Sequence, residues 1–449
     1  MRDSKQIMEL FEQQRAQTDA YVREGIEKNR KGELRIRVTD ANGQAVPGAQ
    51  IHVRQLTHAF RYGCNLFMLD ELETDEKNAK YREIMRTFGN MYTLPFYWDA
   101  TEPERGKTRY HKDSVKVYRR PAIDRCIEFC QENGIELREH ALAYERFFPK
   151  WMYNLPMDEA WSELERRFQE ISARYADKIP TIEVTNEVGH APGQTALIQH
   201  PDYINRCFAL AEKYFPHNQL GINEATRWAW DDKCRTCDKY YAYIENAMLK
   251  GARIDAIGMQ YHMFFRSEDE YERTRPFYDP QNLIRHMDLY ARFNKPLQIT
   301  EVTIPAYTDL PEDEQLQAEI ITQLFSIWFA HPAVEQIIYW NMIDGYAHLW
   351  DPDPETIRRS QGNMTLGENY YRGGLLRFDM SPKPAYFAIR NLFEKVWHTD
   401  EAAATNTDGE CMLRGFYGDY EVEITLPDGT RTEKITLAKG TENTLNVII

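Results

Sequence analysis

Two short apolar runs in this chain end in glutamate: Ile182-Glu183-Val184-Thr185-Asn186-Glu187 and Leu297-Gln298-Ile299-Thr300-Glu301. Two carboxyl groups facing one cavity can break a glycosidic bond, one protonating the leaving oxygen and the other attacking the anomeric carbon. The acid must hold its proton near neutral pH, which burial and a neighbouring negative charge achieve. Taken singly, a glutamate in such a position is more often a loop ion-pair partner, and a lone histidine more often a satisfied core donor. Here they have company. Other apolar runs end in Arg138 and His140, in Asn223-Glu224, in Gln260 and His262, and in Trp340-Asn341. Buried polar groups are costly unless paired or used, so this gathering suggests an active-site mouth. In that setting Asn186 is placed to hydrogen-bond a sugar hydroxyl. His262 is placed to orient and charge-stabilise Glu301, and Trp340 and Trp350 to form an apolar floor and wall.

The elements that must hold these groups repeat along the chain. Strand-like runs fall at 60–66, 88–94, 135–141, 181–187, 220–224, 254–261, 297–302 and 336–341. Helical patterns lie between them at 122–133, 158–175, 203–215, 233–250, 280–293 and 311–329, and a last one at 384–396. This alternation predicts an α/β fold, a (β/α)8 TIM barrel, with the polar strand ends at the C-terminal mouth where such barrels do chemistry. A doubly wound open sheet is the rival, but no Gly-rich phosphate loop follows any strand. The two ends of the chain differ from the middle. Residues 1–30 read as one helix, and residues 31–56 as a β-hairpin around Asp40-Ala41-Asn42-Gly43. Four further strand patterns lie within 399–449, one pair of them joined at Pro427-Asp428-Gly429. A hairpin alone is marginal. The expectation is a small accessory β-sandwich built from N- and C-terminal segments, beside a catalytic barrel over 57–398.

Composition narrows the partners. The 449 residues carry 55 basic and 70 acidic side chains, a net charge of -15, which disfavours nucleic acid or an anionic membrane. Aromatic residues make up 13%, enough to supply stacking faces for sugars as well as core. The first residues are charged, with no apolar signal-peptide core, so a cytoplasmic location is expected, or a secreted one if a leader has been removed. Seven cysteines read as reduced thiols, and Cys234-x-x-Cys237 has no second pair at zinc spacing, so neither a metal nor any other cofactor is expected. The expected partner is an oligosaccharide or glycoside. Nothing in the sequence sets the oligomeric state.

The motifs around these strand ends resemble clan A glycoside hydrolases, and in detail glycoside hydrolase family 10, the retaining endo-β-1,4-xylanases. Thr185-Asn186-Glu187 and Ile299-Thr300-Glu301 match the two catalytic strand ends. Phe60-Arg61-Tyr62-Gly63 resembles the first strand. Trp98-Asp99-Ala100-Thr101-Glu102-Pro103 with Arg105-Gly106 resembles W-D-x-x-E-P-x-x-G, and Ile254 to His262 resembles I-D-G-I-G-x-Q-x-H. His331-Pro332-Ala333-Val334 before Trp340, and Pro382-Lys383-Pro384-Ala385-Tyr386, resemble the last strand and helix. The resemblance implies Glu187 as acid/base and Glu301 as nucleophile. It implies that Asn186, His140, Gln260, His262 and Trp340 line the subsite of the cleaved sugar, and Trp98, Trp350 and Asn223 complete the expected substrate-binding set. It also implies cleavage of β-1,4-xylosidic bonds in xylan-derived oligosaccharides by double displacement. The sequence departs from the family at two places. Tyr92 to Trp98 lacks the Glu, Asn and Lys that serve the second glycone sugar. In Glu139-His140-Ala141-Leu142-Ala143-Tyr144-Glu145, Tyr and Glu replace a Trp and a second His. These departures keep open a β-glycosidase for another sugar or a plant aryl glycoside, and a catalytically weak carbohydrate-binding protein.

Overall fold

The computed structural model describes residues 2–230, 237–349, 353–427 and 429–449. Trp350, Cys234, Asp428 and the start of the helix expected from 233 lie outside the described residues. Among the described residues no helix is long and apolar enough to cross a membrane.

The chain begins with helical segments Ser4–Ile7, Glu9–Gln13 and Arg15–Asn29, not with one helix over 1–30. The second break, at Gln14, coincides with the division of the chain into two compact units. Strands β1 (Lys31–Thr39) and β2 (Gln50–Gln55) follow. Then come β3 (Arg61–Asn65), β4 (Met91–Pro95), β5 (Glu136–His140), β6 (Thr181–Asn186), β7 (Gln219–Glu224), β8 (Ala256–His262), β9 (Leu297–Thr303) and β10 (Val334–Tyr339). The chain closes with β11 (Asp400–Ala404), β12 (Glu410–Phe416), β13 (Gly418–Leu426), β14 (Gly429–Leu437) and β15 (Thr444–Ile448).

One unit comprises residues 2–14, 62–321 and 333–386. Strands β3 to β10 close into a barrel in the order β10-β3-β4-β5-β6-β7-β8-β9, with parallel pairing and helices between strands. This is the (β/α)8 barrel that the alternation predicts. Every residue of β6 and of β9 is buried, the polar residues that alternate with the apolar ones included. Between β3 and β4 the sequence reading missed the helix Asp75–Phe88 and assigned Phe88 to the strand. Thr74 caps this helix by accepting from the Lys77 amide, and Tyr81, Met85 and Phe88 form its buried stripe at helical spacing.

The other unit comprises residues 15–61, 322–332 and 387–449. Its two sheets run β12-β1-β15 and β11-β2-β13-β14. They share one core in which Leu34, Ile36 and Val38 face Ile51, Val53, Val422 and Ile424. β1 and β2 therefore do not pair as the expected hairpin. They belong to opposite sheets, and their connection closes only a single bridge, Thr39 to Ala45. Both alternating faces are apolar, and placing them face to face buries both, which edge pairing would not. The sequence also hides β11: Asp400-Glu401-Ala402-Ala403-Ala404 is an exposed edge strand without apolar alternation.

Candidate active site

Glu187 follows the last residue of β6 and takes a left-handed backbone, φ 49° and ψ 42°. That conformation is uncommon outside glycine, and here it turns the chain out of the barrel. The Glu187 amide donates to the Asn223 carbonyl at 3.2 Å. Its carboxylate accepts from Gln260 Nε2 at 3.1 Å, and Arg146 Nε lies 3.8 Å away. The same Gln260 amide donates to Asn186 Oδ1 at 3.2 Å. Asn186 Nδ2 is buried and lacks a hydrogen-bond partner.

Glu301 stands on β9. It accepts from Asn223 Nδ2 at 3.0 Å and faces His262 Nε2 at 3.1 Å. His140 Nδ1 is 3.9 Å from it. Burial pushes its carboxyl up to about 8; the charges of His140 and Arg138 oppose this, and those of Glu183 and Glu187 add to it. Burial lowers His262 to about 4. Burial thus favours the neutral imidazole, whose hydrogen bond orients Glu301. Its Nδ1 lies 2.9 Å from the Thr303 hydroxyl, which fixes the ring.

Below these groups lies a buried polar floor. Glu183, in the middle of β6, is paired with Arg138, accepts from His140 Nδ1 at 2.9 Å, and meets Asn223 Nδ2 at 3.3 Å. Burial alone would raise Glu183, but Arg138, His140 and Asn223 together hold it below the usual carboxylate range. His140 is clamped from its other side by the Tyr97 hydroxyl, 3.0 Å from Nε2. Glu224, ending β7, accepts from the Gly189 and Ala225 amides, both at 2.8 Å, and so ties the turn after Glu187 to the next strand.

Above the floor a cavity of about 400 Å³ opens. It brings together seven of the expected residues: His140, Asn186, Glu187, Gln260, His262, Glu301 and Trp340. Asn223 lies beneath it and acts on Glu301 rather than on the cavity. Trp98 does not line it. That ring is buried in the barrel wall, where its Nε1 donates to Glu102 at 2.8 Å and its faces meet Phe148 and Trp151 at 5.1 and 5.6 Å. The expectation of a sugar contact from Trp98 is therefore corrected, because the motif that contains it is a packing knot. Among the described residues the cavity also receives Tyr97, Phe147 and His348, four arginines (Arg119, Arg120, Arg146 and Arg227) and Glu368. Sequence reading missed these because they sit in loops and in helical turns too short to show a period. The one available signal was that Tyr97 and Tyr144 both belong to the motifs that depart from the family pattern. Glu145 from the second departure points away and accepts from the Gly193 and Thr195 amides at 2.8 Å. Among the described residues no group of three or more His, Cys, Asp or Glu is arranged to hold a metal ion.

Known proteins resemble the chain in sequence and in fold. The chain is 25% identical to endo-1,4-beta-xylanase B of Thermotoga neapolitana over 75% of its own length and 88% of that protein. It is 24% identical to endo-1,4-beta-xylanase 3 of Arabidopsis thaliana over 76% of its length and 39% of that protein. It is 23% identical to the anti-sigma-I factor RsgI6 of Acetivibrio thermocellus over 90% of its length and 46% of that protein. The chain thus spans less than half the length of the latter two. Xylanase 10B from Thermotoga petrophila, solved with xylobiose, shares the barrel with a TM-score of 0.57 at 21% identity, covering 75% of this chain and 95% of that one. The model of glycosyl hydrolase family 10 matches residues 61–392, and the chain belongs to that family.

Proposed function

We propose that this chain is a retaining glycoside hydrolase that cleaves β-1,4-xylosidic bonds in xylan-derived oligosaccharides. The observation that carries the reading is the way β8 bridges the two carboxyls, Gln260 donating to Glu187 and His262 meeting Glu301 across one cavity. The xylanase names of several relatives support the sugar.

In this reading the ionised Glu301 attacks the anomeric carbon while Glu187 gives its proton to the departing oxygen. Glu187 then takes a proton from water, the water oxygen bonds to the anomeric carbon, and Glu301 leaves. The hydrogen bonds from Asn223 and His262 favour the ionised nucleophile. The unpartnered Asn186 Nδ2 is available to a sugar hydroxyl, which would satisfy an otherwise costly buried donor.

Hydrolysis of aryl β-xyloside and β-xylobioside, with the product anomer followed by NMR, tests this. Glu301→Gln is expected to cut turnover by about three orders of magnitude or more. Glu187→Ala is expected to slow substrates with poor leaving groups far more than activated aryl glycosides, which need little protonation. First formation of the α-anomer, or full activity in Glu301→Gln, would discard the mechanism.

A further inference from the structure

Two buried arginines face the cavity, and among the described residues each feels a carboxylate only at longer range, Arg119 that of Glu368 and Arg120 that of Asp99. Arg119 is 3% exposed and Arg120 7% exposed, and both line the cavity. Arg119 Nη1 donates to the Tyr346 carbonyl, while its Nε is buried without a partner. Arg120 Nη1 donates to the Arg119 carbonyl at 3.0 Å, and its guanidinium lies 3.6 Å over the Tyr97 ring. Among the described residues neither has a carboxylate within ion-pairing distance. Burial presses Arg120 below its ordinary value, and the Arg119 charge adds to this.

Two like charges buried side by side with no direct ion pair among the described residues are expensive, and a ligand anion would offset that cost. Arg120 thus lies over the Tyr97 ring and lines the cavity. A guanidinium edge matches a carboxylate with two parallel hydrogen bonds. The pair also stands on the loop after β4, the loop whose first residues lack the neutral-sugar polar groups of the family. The overall charge of -15 would repel an acidic substrate, so a local positive site is what such a substrate would need.

We propose that the glycoside cleaved by this chain carries an acidic sugar, a uronosyl unit whose carboxylate is received by Arg119 and Arg120. This rests on the glycosidase reading above and specifies its substrate.

Calorimetric titration of the full-length Glu301→Gln chain with xylobiose and with glucuronosyl-xylobiose tests it; that variant leaves the ligands intact, so affinity is read without turnover and separately from the activity assay. The acidic ligand is expected to bind about tenfold tighter or more, as charge-assisted hydrogen bonds imply. Added salt should erode that margin. Arg119→Gln and Arg120→Gln should remove it, and Arg120→Lys, which keeps the charge and loses the fork, should retain part of it. Equal binding of the two ligands, or a preference that survives in both glutamine variants with native melting curves, would overturn the proposal. Tighter binding of a xylobiose sulfate ester than of the uronosyl ligand would overturn the carboxylate assignment.

Discussion

Glu301 meets Asn223 and His262 in a site whose burial lifts its carboxyl to about 8. Two outcomes follow at the scale of this residue. On an activated aryl glycoside, the rising limb of kcat/KM should report ionisation of Glu301 and centre close to 8. A limb near the ordinary carboxylate value would discard burial as the controlling effect. The second outcome concerns stability. A carboxyl raised in the folded state from 4.5 contributes fully below that value and loses its contribution as pH rises through about 8. Glu301→Gln should therefore melt higher than the native chain at pH above 8, by an amount on the order of a few kcal/mol, and alike near pH 4. Thermal melts of both proteins across that range check the sign. The two glutamates were legible in the sequence because each ends an apolar run whose strand fixes its direction. Arg119, Arg120, His348 and Glu368 were not, because their loops and short helical turns carry no period from which direction can be read.

At the scale of elements, the barrel strands converge their ends while knots in the loops hold the angles. Glu102 is one such knot. It accepts from Trp98 Nε1, from the Gly106 amide at 2.6 Å and from Arg166 at 2.6 Å. Glu102→Ala leaves buried donors unmet and should cost about 2–4 kcal/mol of stability. Denaturant melts would record that loss, and KM for an aryl glycoside should stay within about twofold, since Trp98 does not reach the cavity. The motif containing Trp98 was visible in the sequence, but its use was not: a Trp beside a carboxylate reads equally well as a sugar platform or as a tie. All eight barrel strands were legible from apolar runs. The helix Asp75–Phe88 was not, because its stripe is only three residues wide amid charged positions. The pairing of β1 with β2 was misread for a different reason: alternation says that one face is buried and is silent on what buries it.

At the scale of the whole molecule, the described cavity residues fall between 97 and 368 and belong to the barrel unit. A core substitution in the sandwich should thus uncouple stability from turnover. Ile51 is 1% exposed between β13 and β11, and Ile51→Ala should cost about 2–5 kcal/mol. Melting should shift downward while kcat/KM at 25 °C stays unchanged; a parallel fall in kcat/KM would show that the sandwich supports the site. The sandwich also carries a consequence for biosynthesis. β1 and β2 leave the ribosome before the barrel, yet their partners β11 to β15 follow it. The bond from Ala49 to Thr405 spans 356 residues. Loop closure over such a length adds little free energy, since each doubling costs about 0.6 kcal/mol, but it imposes a wait. While the barrel is translated, two strands with bare apolar faces have nothing to pair with. A nascent chain halted before β12 would hold its barrel sequence and still expose those strands, as an early target for chaperones or a seed for aggregation.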